Sequence, residues 1–360
     1  MELPRAIGLL LVYCVACLGD DQIRLKPDET IVFYPTIAQR IPGEAEWRVE
    51  ICGRVFEPEK RGVLLAALRE ALDLKDVEMT ASEENIFNER ARLFLADHER
   101  GKKMFVRVGG KSFAVGKSKA DGGFSGEVRL ADGEVRESLH ISYDAALRGG
   151  DNRAFCGEAF KLEETGLSVI SDIDDTIKIT EVRDRRAALR NTFLREFAPV
   201  PGMAEFYQTL ARSNRAQFQY ISASPWQLYE PLAEFVNAHG FPHGTFALKE
   251  FRWKNRTFLS LFESPEKYKP TIVEPLLQQF PQRRFILIGD SGERDPEIYA
   301  ALTRKHPAQI ARIYIRDVTD EPASAGRYTK TFRGLPAELW QVFSTPSELK
   351  PFVDSSSTQR

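Results

Sequence analysis

Four short apolar runs, rich in β-branched and aromatic residues, mark the second half of this 360-residue chain: Leu167 to Ile170, Phe218 to Ile221, Phe285 to Ile288 and Ile310 to Ile315. Between them the apolar residues return at helical spacing, over 201–214, 225–239, 269–280 and 296–305. A strand without polar interruption has no face for solvent, and such strands alternating with helices build βαβ units on a parallel sheet. Ligands of these sheets bind beyond the carboxyl ends of the strands. Asp172, Ser222 and Asp290 each stand just after a run. Composition adds mainly exclusions: 42% hydrophobic and 28% charged residues fit a globular protein, not a disordered, collagenous or multi-span membrane chain. With 50 Lys and Arg against 52 Asp and Glu, the net charge of −2 provides no general basic field for nucleic acid.

The first half reads differently. Trp47, Val49 and Ile51 alternate with Arg48 and Glu50, and Met104, Val106 and Val108 repeat the period of a half-buried strand. Gly109-Gly110 before Phe113 and Val115 predicts a hairpin, and Asp132-Gly133 another turn. Val63, Leu64, Ala67, Leu68, Ala71 and Leu72 share one helical face, and a second helix is expected around Ile86 to Ala96. The expectation is a β-rich, sandwich-like accessory domain over 24–150 with a helical insertion, followed by an α/β domain over 160–345 and a tail over 346–360. Two domains agree with a length prior of ~150 residues each.

The longest apolar run, Ala6 to Leu18, is shorter than the ~20 residues that span a bilayer. Arg5 before it and the small Ala16 read as a signal peptide over 1–16, hence export to the periplasm or the extracellular space; a buried N-terminal helix is the alternative. Cys14-Val15-Ala16-Cys17 is similar to a bacterial lipobox, which would make Cys17 a lipid anchor. Cys52 and Cys156 read as two separate buried thiols, with a disulfide as the alternative in an oxidising compartment. Without a CxxC pair and its second half, no zinc site is expected.

The chemistry concentrates at Ser171-Asp172-Ile173-Asp174-Asp175-Thr176. Three carboxylates in four residues repel one another unless a cation lies among them. A calcium loop of EF-hand type would need Gly at its sixth position and Glu at its twelfth; Ile177 and Arg183 stand there. Magnesium suits the set, since it takes few carboxylates and leaves places for water and a phosphate oxygen. Gly289-Asp290-Ser291-Gly292 also looks like a serine-hydrolase nucleophile motif. It lacks the Gly-x-Ser-x-Gly elbow, and none of His98, His140, His239, His243 or His306 stands in a triad pattern. His239 and His243 are separated by Gly240 and Pro242 and read as loop residues rather than a metal pair.

Together these residues resemble the haloacid dehalogenase superfamily of phosphatases: Asp172-x-Asp174-x-Thr176, Ser222 after Tyr220-Ile221, Lys269 opening a helix, and Gly289-Asp290 with Asp295. More closely, Asp172 to Lys178, Tyr220 to Trp226, and Phe285 to Gly292 with Asp295 to Tyr299 resemble the catalytic domain of the actin-patch type of phosphatidate phosphatase, a relative of the lipins. The resemblance covers about 160–320, and more loosely the region of Gly53-Arg54-Val55. It implies a Rossmann-like parallel sheet of haloacid dehalogenase type and a magnesium-dependent hydrolysis of phosphatidate to diacylglycerol and phosphate. By the same resemblance Asp172 is the nucleophile that forms an aspartyl-phosphate, and Asp174 is the acid and base. Ser222 and Lys269 bind the phosphate oxygens, while Asp172, the Asp174 carbonyl and Asp290 hold the magnesium. Lys267 competes with Lys269 for that role; Asp295 orients Lys269 or a metal-bound water, and Asp175 and Thr176 support the site.

Superfamily caps are inserted beside these motifs, yet Thr176 to Ser222 and Ser222 to Lys269 span only 46 and 47 positions, much of it needed for helices that cover the sheet. An open site without a large cap follows, suited to a lipid in a bilayer or to a phosphoprotein. Residues 182–195 carry Arg183, Arg185, Arg186, Arg190 and Arg195 against Asp184 alone, and 249–258 interleave Lys249, Arg252, Lys254 and Arg256 with Phe251, Trp253 and Phe258. Both stretches suit an anionic membrane face; the alternative is a solvated helix face and a packed strand. Two other functions stand beside the lipid phosphatase: a phosphatase of a phosphoprotein or soluble phosphoester, and a non-catalytic phospholipid-binding module.

Overall fold

The structure, a computed structural model, describes residues 21–58, 62–135, 138–250 and 268–353. Residues 1–16 with Cys17, Lys267, positions 251–258 of the basic aromatic stretch and the tail from 354 lie outside the described residues. No helix among those described is long and apolar enough to cross a membrane.

The first sheet contains β1 (Thr30–Tyr34), β2 (Thr36–Arg40), β3 (Glu46–Glu57), β4 (Asp97–His98), β5 (Lys103–Val108), β6 (Lys111–Lys117), β7 (Gly123–Ala131), β8 (His140–Ala145) and β9 (Cys156–Leu162). Its order is β1-β3-β2-β9-β8-β5-β6, with β4 and β7 also on β3. Every pair is antiparallel except β2 with β9. The twelve residues of β3 pair with β2 through their first part, with β1 through their second, and with β7 along most of their length. The sheet therefore curls about β3 and closes on one apolar core that includes Trp47, Val49, Ile51, Val106, Val128 and Ile141. Where a sandwich is expected, the strands form a single curled sheet. The β5–β6 hairpin turns at Gly109 and Gly110, whose φ of +56° and +85° a primed two-residue turn requires.

Cys52 and Cys156 are both free. Cys156 is exposed, not buried as expected: it opens β9 opposite the exposed Asp144 of β8, on an outward face that the alternation of burial does not reach.

The second sheet contains β10 (Leu167–Asp172), β11 (Gln217–Pro225), β12 (Gly244–Lys249), β13 (Arg284–Asp290), β14 (Ile310–Arg316) and β15 (Trp340–Phe343). All pairs are parallel and the order is β12-β11-β10-β13-β14-β15. The winding thus reverses beside β10, the place where such a sheet opens a crevice at its carboxyl edge. Side chains alternate between two cores. Val169, Phe218, Tyr220, Ile286 and Ile288 meet α3 (Arg185–Phe193), α4 (Met203–Asn214) and α5 (Tyr229–Ala238). Ile170, Ile221, Phe285, Leu287 and Ile313 meet α6 (Tyr268–Gln279), α7 (Asp295–Lys305) and α8 (Gly326–Thr331). Burial on both faces is why these strands are predominantly apolar, their runs broken only by Ser168, Gln219 and Arg312.

The helical insertion between β3 and β4 joins this second sheet's core, not the first. Its helices, Gly62–Ala71 and Ala81–Leu95, place Leu68, Leu72, Phe87, Ala91 and Phe94 in the cluster with Leu189, Phe193 and Phe197. Arg90 donates from Nη1 to the carbonyls of Thr192 and Arg195, 2.7 Å each, and stacks 3.9 Å from the Phe197 ring centroid. A second seam sets Tyr34 of β1 against Trp226, with ring centroids 4.1 Å apart.

Candidate active site

The site forms where β10 ends. Asp172 is its last residue, buried to 1% exposure, and the chain then folds into a tight loop in which Ile177 and Lys178 donate their N–H groups to the Ile173 carbonyl. Asp175 shapes that loop. Its φ is +54°, a left-handed conformation that Asp tolerates better than most residues, and its carboxylate accepts from the amides of Thr180, Glu181 and Val182 at 2.7–2.8 Å. Arg316 at the end of β14 donates to the Asp175 carbonyl at 2.5 Å, tying the loop to the neighbouring strand.

Both oxygens of Asp172 are fixed. Thr176 Oγ1 donates to Oδ2 at 3.1 Å, and Lys269 Nζ lies 2.9 Å from Oδ1. Lys269, in the first turn of α6 and fully buried, also lies 2.9 Å from Glu293 and 2.5 Å from Asp295. Asp295 opens α7 beneath Gly289, where a Cβ would fall 2.1 Å from its Oδ2; only glycine admits that approach. Asp290 ends β13. Its Oδ1 accepts from the amides of Gly292 and Glu293, while its Oδ2 is buried with no hydrogen-bond partner among the described residues.

Asp174 occupies a second, adjoining neighbourhood. Its Oδ2 accepts from Ser222 Oγ at 2.7 Å and Ser224 Oγ at 3.1 Å; its Oδ1 accepts from Thr180 Oγ1 and pairs with Lys178 Nζ, both at 2.8 Å. Ser291, the serine of the hydrolase-like motif, instead joins Asp317, Thr319 and the Val318 amide, an arrangement that fastens two loops.

Burial pushes the Asp172 carboxyl well above the usual carboxylate range; Lys269 opposes this and the charges of Asp295, Glu293 and Asp290 add to it. Burial, then Asp295, likewise raises Asp290, and burial raises Glu293. Burial would lower Lys269, but Asp172, Asp295 and Glu293 carry it above its ordinary value. Burial would raise Asp174, yet Lys178, Ser222 and Thr180 hold it at about 2. Oxygens of Asp172, Glu293 and Asp295 lie within 4.8 Å of one another, and the Lys269 ammonium is bonded to all three, so that trio already has its cation. The orphaned Oδ2 of Asp290 has none. An unpaired buried carboxylate oxygen beside acids that raise one another's pKa is a deficit that a divalent ion relieves, which makes Asp290 the candidate ligand here.

The structure thus brings Asp172, Thr176, Lys269 and Asp295 into one hydrogen-bonded group and sets Ser222 on Asp174. Asp175 is bound by the amides of its own loop. Glu293, Lys178, Thr180 and Ser224 take part without having been singled out from sequence. Lys178 and Ser224 lie inside the quoted motifs, whereas Glu293 and Thr180 fall just outside them.

Comparison with known proteins agrees with this geometry. Residues 167–317 match the family described as "Phosphatidate phosphatase APP1, catalytic domain". The Saccharomyces cerevisiae protein "Phosphatidate phosphatase APP1" is 31% identical over 247 residues, 66% of this chain and 42% of its own length. A Schizosaccharomyces pombe protein, "Uncharacterized protein C29B5.04c", is 31% identical over 175 residues, 47% of this chain and 28% of its own. The chain therefore spans less than half the length of these curated relatives. Among solved structures, the Pnkp1/Rnl/Hen1 complex matches with a TM-score of 0.30 at 11% identity over 42% of this chain and 46% of that one, a likeness too slight to bear on fold or function. By sequence, residues 167–317 are thus similar to the catalytic domain of APP1-type phosphatidate phosphatases.

Proposed function

We propose that this chain is a magnesium-dependent phosphomonoesterase of haloacid dehalogenase type that hydrolyses phosphatidate to diacylglycerol and phosphate. The observation that carries the reading is Asp172: a carboxylate at the carboxyl end of β10, beside the reversal of the sheet, with both oxygens oriented by Thr176 and Lys269. An Asp172 oxygen attacks phosphorus and the phosphorus–ester oxygen bond breaks, leaving an aspartyl-phosphate and diacylglycerol. Asp174 serves the leaving oxygen as acid and then takes a proton from the water that attacks the aspartyl-phosphate. Its ionised state in this structure suits the second half; the first needs the dianionic phosphate, whose approach raises its proton affinity. Ser222 turns from Asp174 toward a phosphate oxygen, and Lys269 binds another. Magnesium, held by Asp172, Asp290 and the Asp174 carbonyl, would cancel the repulsion between carboxylate and phosphate.

A bilayer is the proposed setting. Arg183, Arg185, Arg186 and Arg195 are exposed, and Arg183, just before α3, donates to the Val318 carbonyl beside the Asp290 loop. Arg190 is part-buried, 3.8 Å from Glu83. Export through residues 1–16, with Cys17 as anchor, would place the enzyme outside the cytoplasm. The test is phosphate release from phosphatidate, lysophosphatidate and soluble phosphoesters, with and without magnesium. Release from phosphatidate that needs magnesium is expected; release that is indifferent to magnesium, or confined to soluble esters, overturns the corresponding part.

A further inference from the structure

An ammonium has three N–H donors. Those of Lys269 meet three carboxylates, Asp172 at 2.9 Å, Glu293 at 2.9 Å and Asp295 at 2.5 Å. Nothing is left for a phosphate oxygen, so one carboxylate must leave when the substrate arrives. Asp172 is held by Thr176, and its side chain is 2% exposed. Asp295 is fully buried, is seated on Gly289 and accepts from the Asp290 amide at 3.2 Å. Glu293 differs from both. Its side chain is 17% exposed, and Lys269 is the carboxylate's one hydrogen-bond or ion-pair partner among the described residues. Its backbone, by contrast, is fastened: the carbonyl accepts from Arg327 Nη2 at 2.7 Å, Arg327 also holds the Ser291 carbonyl at 2.5 Å, and the Glu293 amide donates to Asp290. A pinned backbone beneath a side chain with a single bond permits rotation without unfolding of the loop.

We propose that Glu293 is a placeholder for phosphate: its carboxylate takes the third proton of Lys269 until a phosphate oxygen displaces it toward solvent. The proposal rests on the phosphatase reading above. Two consequences follow from charge alone. A dianionic phosphate competes for Lys269 better than a monoanion does, and the returning carboxylate helps expel inorganic phosphate once it is formed.

The test uses the full chain with magnesium and inorganic phosphate as probe, measured by titration calorimetry and as product inhibition. Glu293→Gln removes the competing charge at nearly constant shape and Glu293→Ala removes the competitor; each should bind phosphate about tenfold more tightly, the effect of about 1.4 kcal/mol, with an unchanged melting temperature. Unchanged or weaker binding in both variants overturns the proposal. Lys269→Met should abolish the gain when combined with Glu293→Gln; a gain that persists there shows that Glu293 does not act through Lys269 and also overturns it. If the parent chain releases phosphate from esters yet Lys269→Met leaves phosphate affinity intact, the placeholder fails and the phosphatase stands. If the parent chain neither binds nor releases phosphate, both fall together.

Discussion

The two ends of the parallel sheet bury charge in opposite ways. At the amino end one guanidinium, Arg283, is 3% exposed and donates to the carbonyls of Glu163, Thr165 and Leu167 and to Ser168 Oγ, all at 2.6–2.9 Å. Burial lowers its pKa to about 10, so it stays charged and satisfied. Around it opens a cleft of about 890 Å³ between the two sheets. At the carboxyl end the charges are carboxylates crowded on one another, with Lys269 shared among three and an Asp290 oxygen shared with none. Complete pairing of a buried charge tends toward rigidity and specificity, incomplete pairing toward function. One end fastens the strands in place; the other is left unfinished for a ligand.

That contrast can be broken at either end. The largest effect is expected for Asp172→Asn, which should lower phosphate release by at least about a thousandfold while leaving the melting temperature unchanged or raised. Unfolding of that variant would mean that Asp172 is structural after all. Next, Arg283→Met strands three carbonyls and a hydroxyl; urea denaturation should show a loss of about 3 kcal/mol with kcat retained in the folded fraction. A smaller effect of opposite sign is expected at Asp290. Its pKa is raised in the folded state, so it favours folding at low pH and disfavours it as pH rises from the ordinary carboxylate range through the raised value. In magnesium-free buffer Asp290→Asn should therefore gain of order 1 kcal/mol at neutral pH, and its stability should fall less between pH 5 and 7 than the parent's. Equal pH profiles would show that the carboxyl end is not strained.

What the sequence disclosed follows from where burial leaves a mark. The four inner strands are covered on both faces and stand out as apolar runs, whereas β12 and β15, at the sheet edges and with one neighbour each, carry no comparable run. The helix α3 escapes a periodicity search because its residues are mostly polar; Asp184, accepting from the amides of Arg186 and Ala187, starts it. At the site, Asp172, Lys269, Asp290 and Asp295 were legible because each stands at a strand or helix end in a motif, and Asp174 and Ser222 because each belongs to a motif at the carboxyl edge of the sheet. Glu293 and Thr180 were not: both fall just outside the motifs, and Glu293 reaches the site only where its loop meets Lys269 of α6. The amphipathic face of the inserted helices was equally visible, but amphipathicity reports that a face is covered and is silent on what covers it.

The inserted helices carry a practical consequence. Phe87, Ala91 and Phe94 lie more than seventy positions before the segment that family similarity delimits, yet they complete its interior, with Arg90 tethering the start of the Arg195 turn. A fragment trimmed to 167–317 would present that oily hollow to water and lose the tether. Expression boundaries drawn from homology alone would therefore favour aggregation, and a soluble truncation has to keep both inserted helices, Gly62–Ala71 and the Ala81–Leu95 helix that the capping box of Thr80 and Glu83 opens.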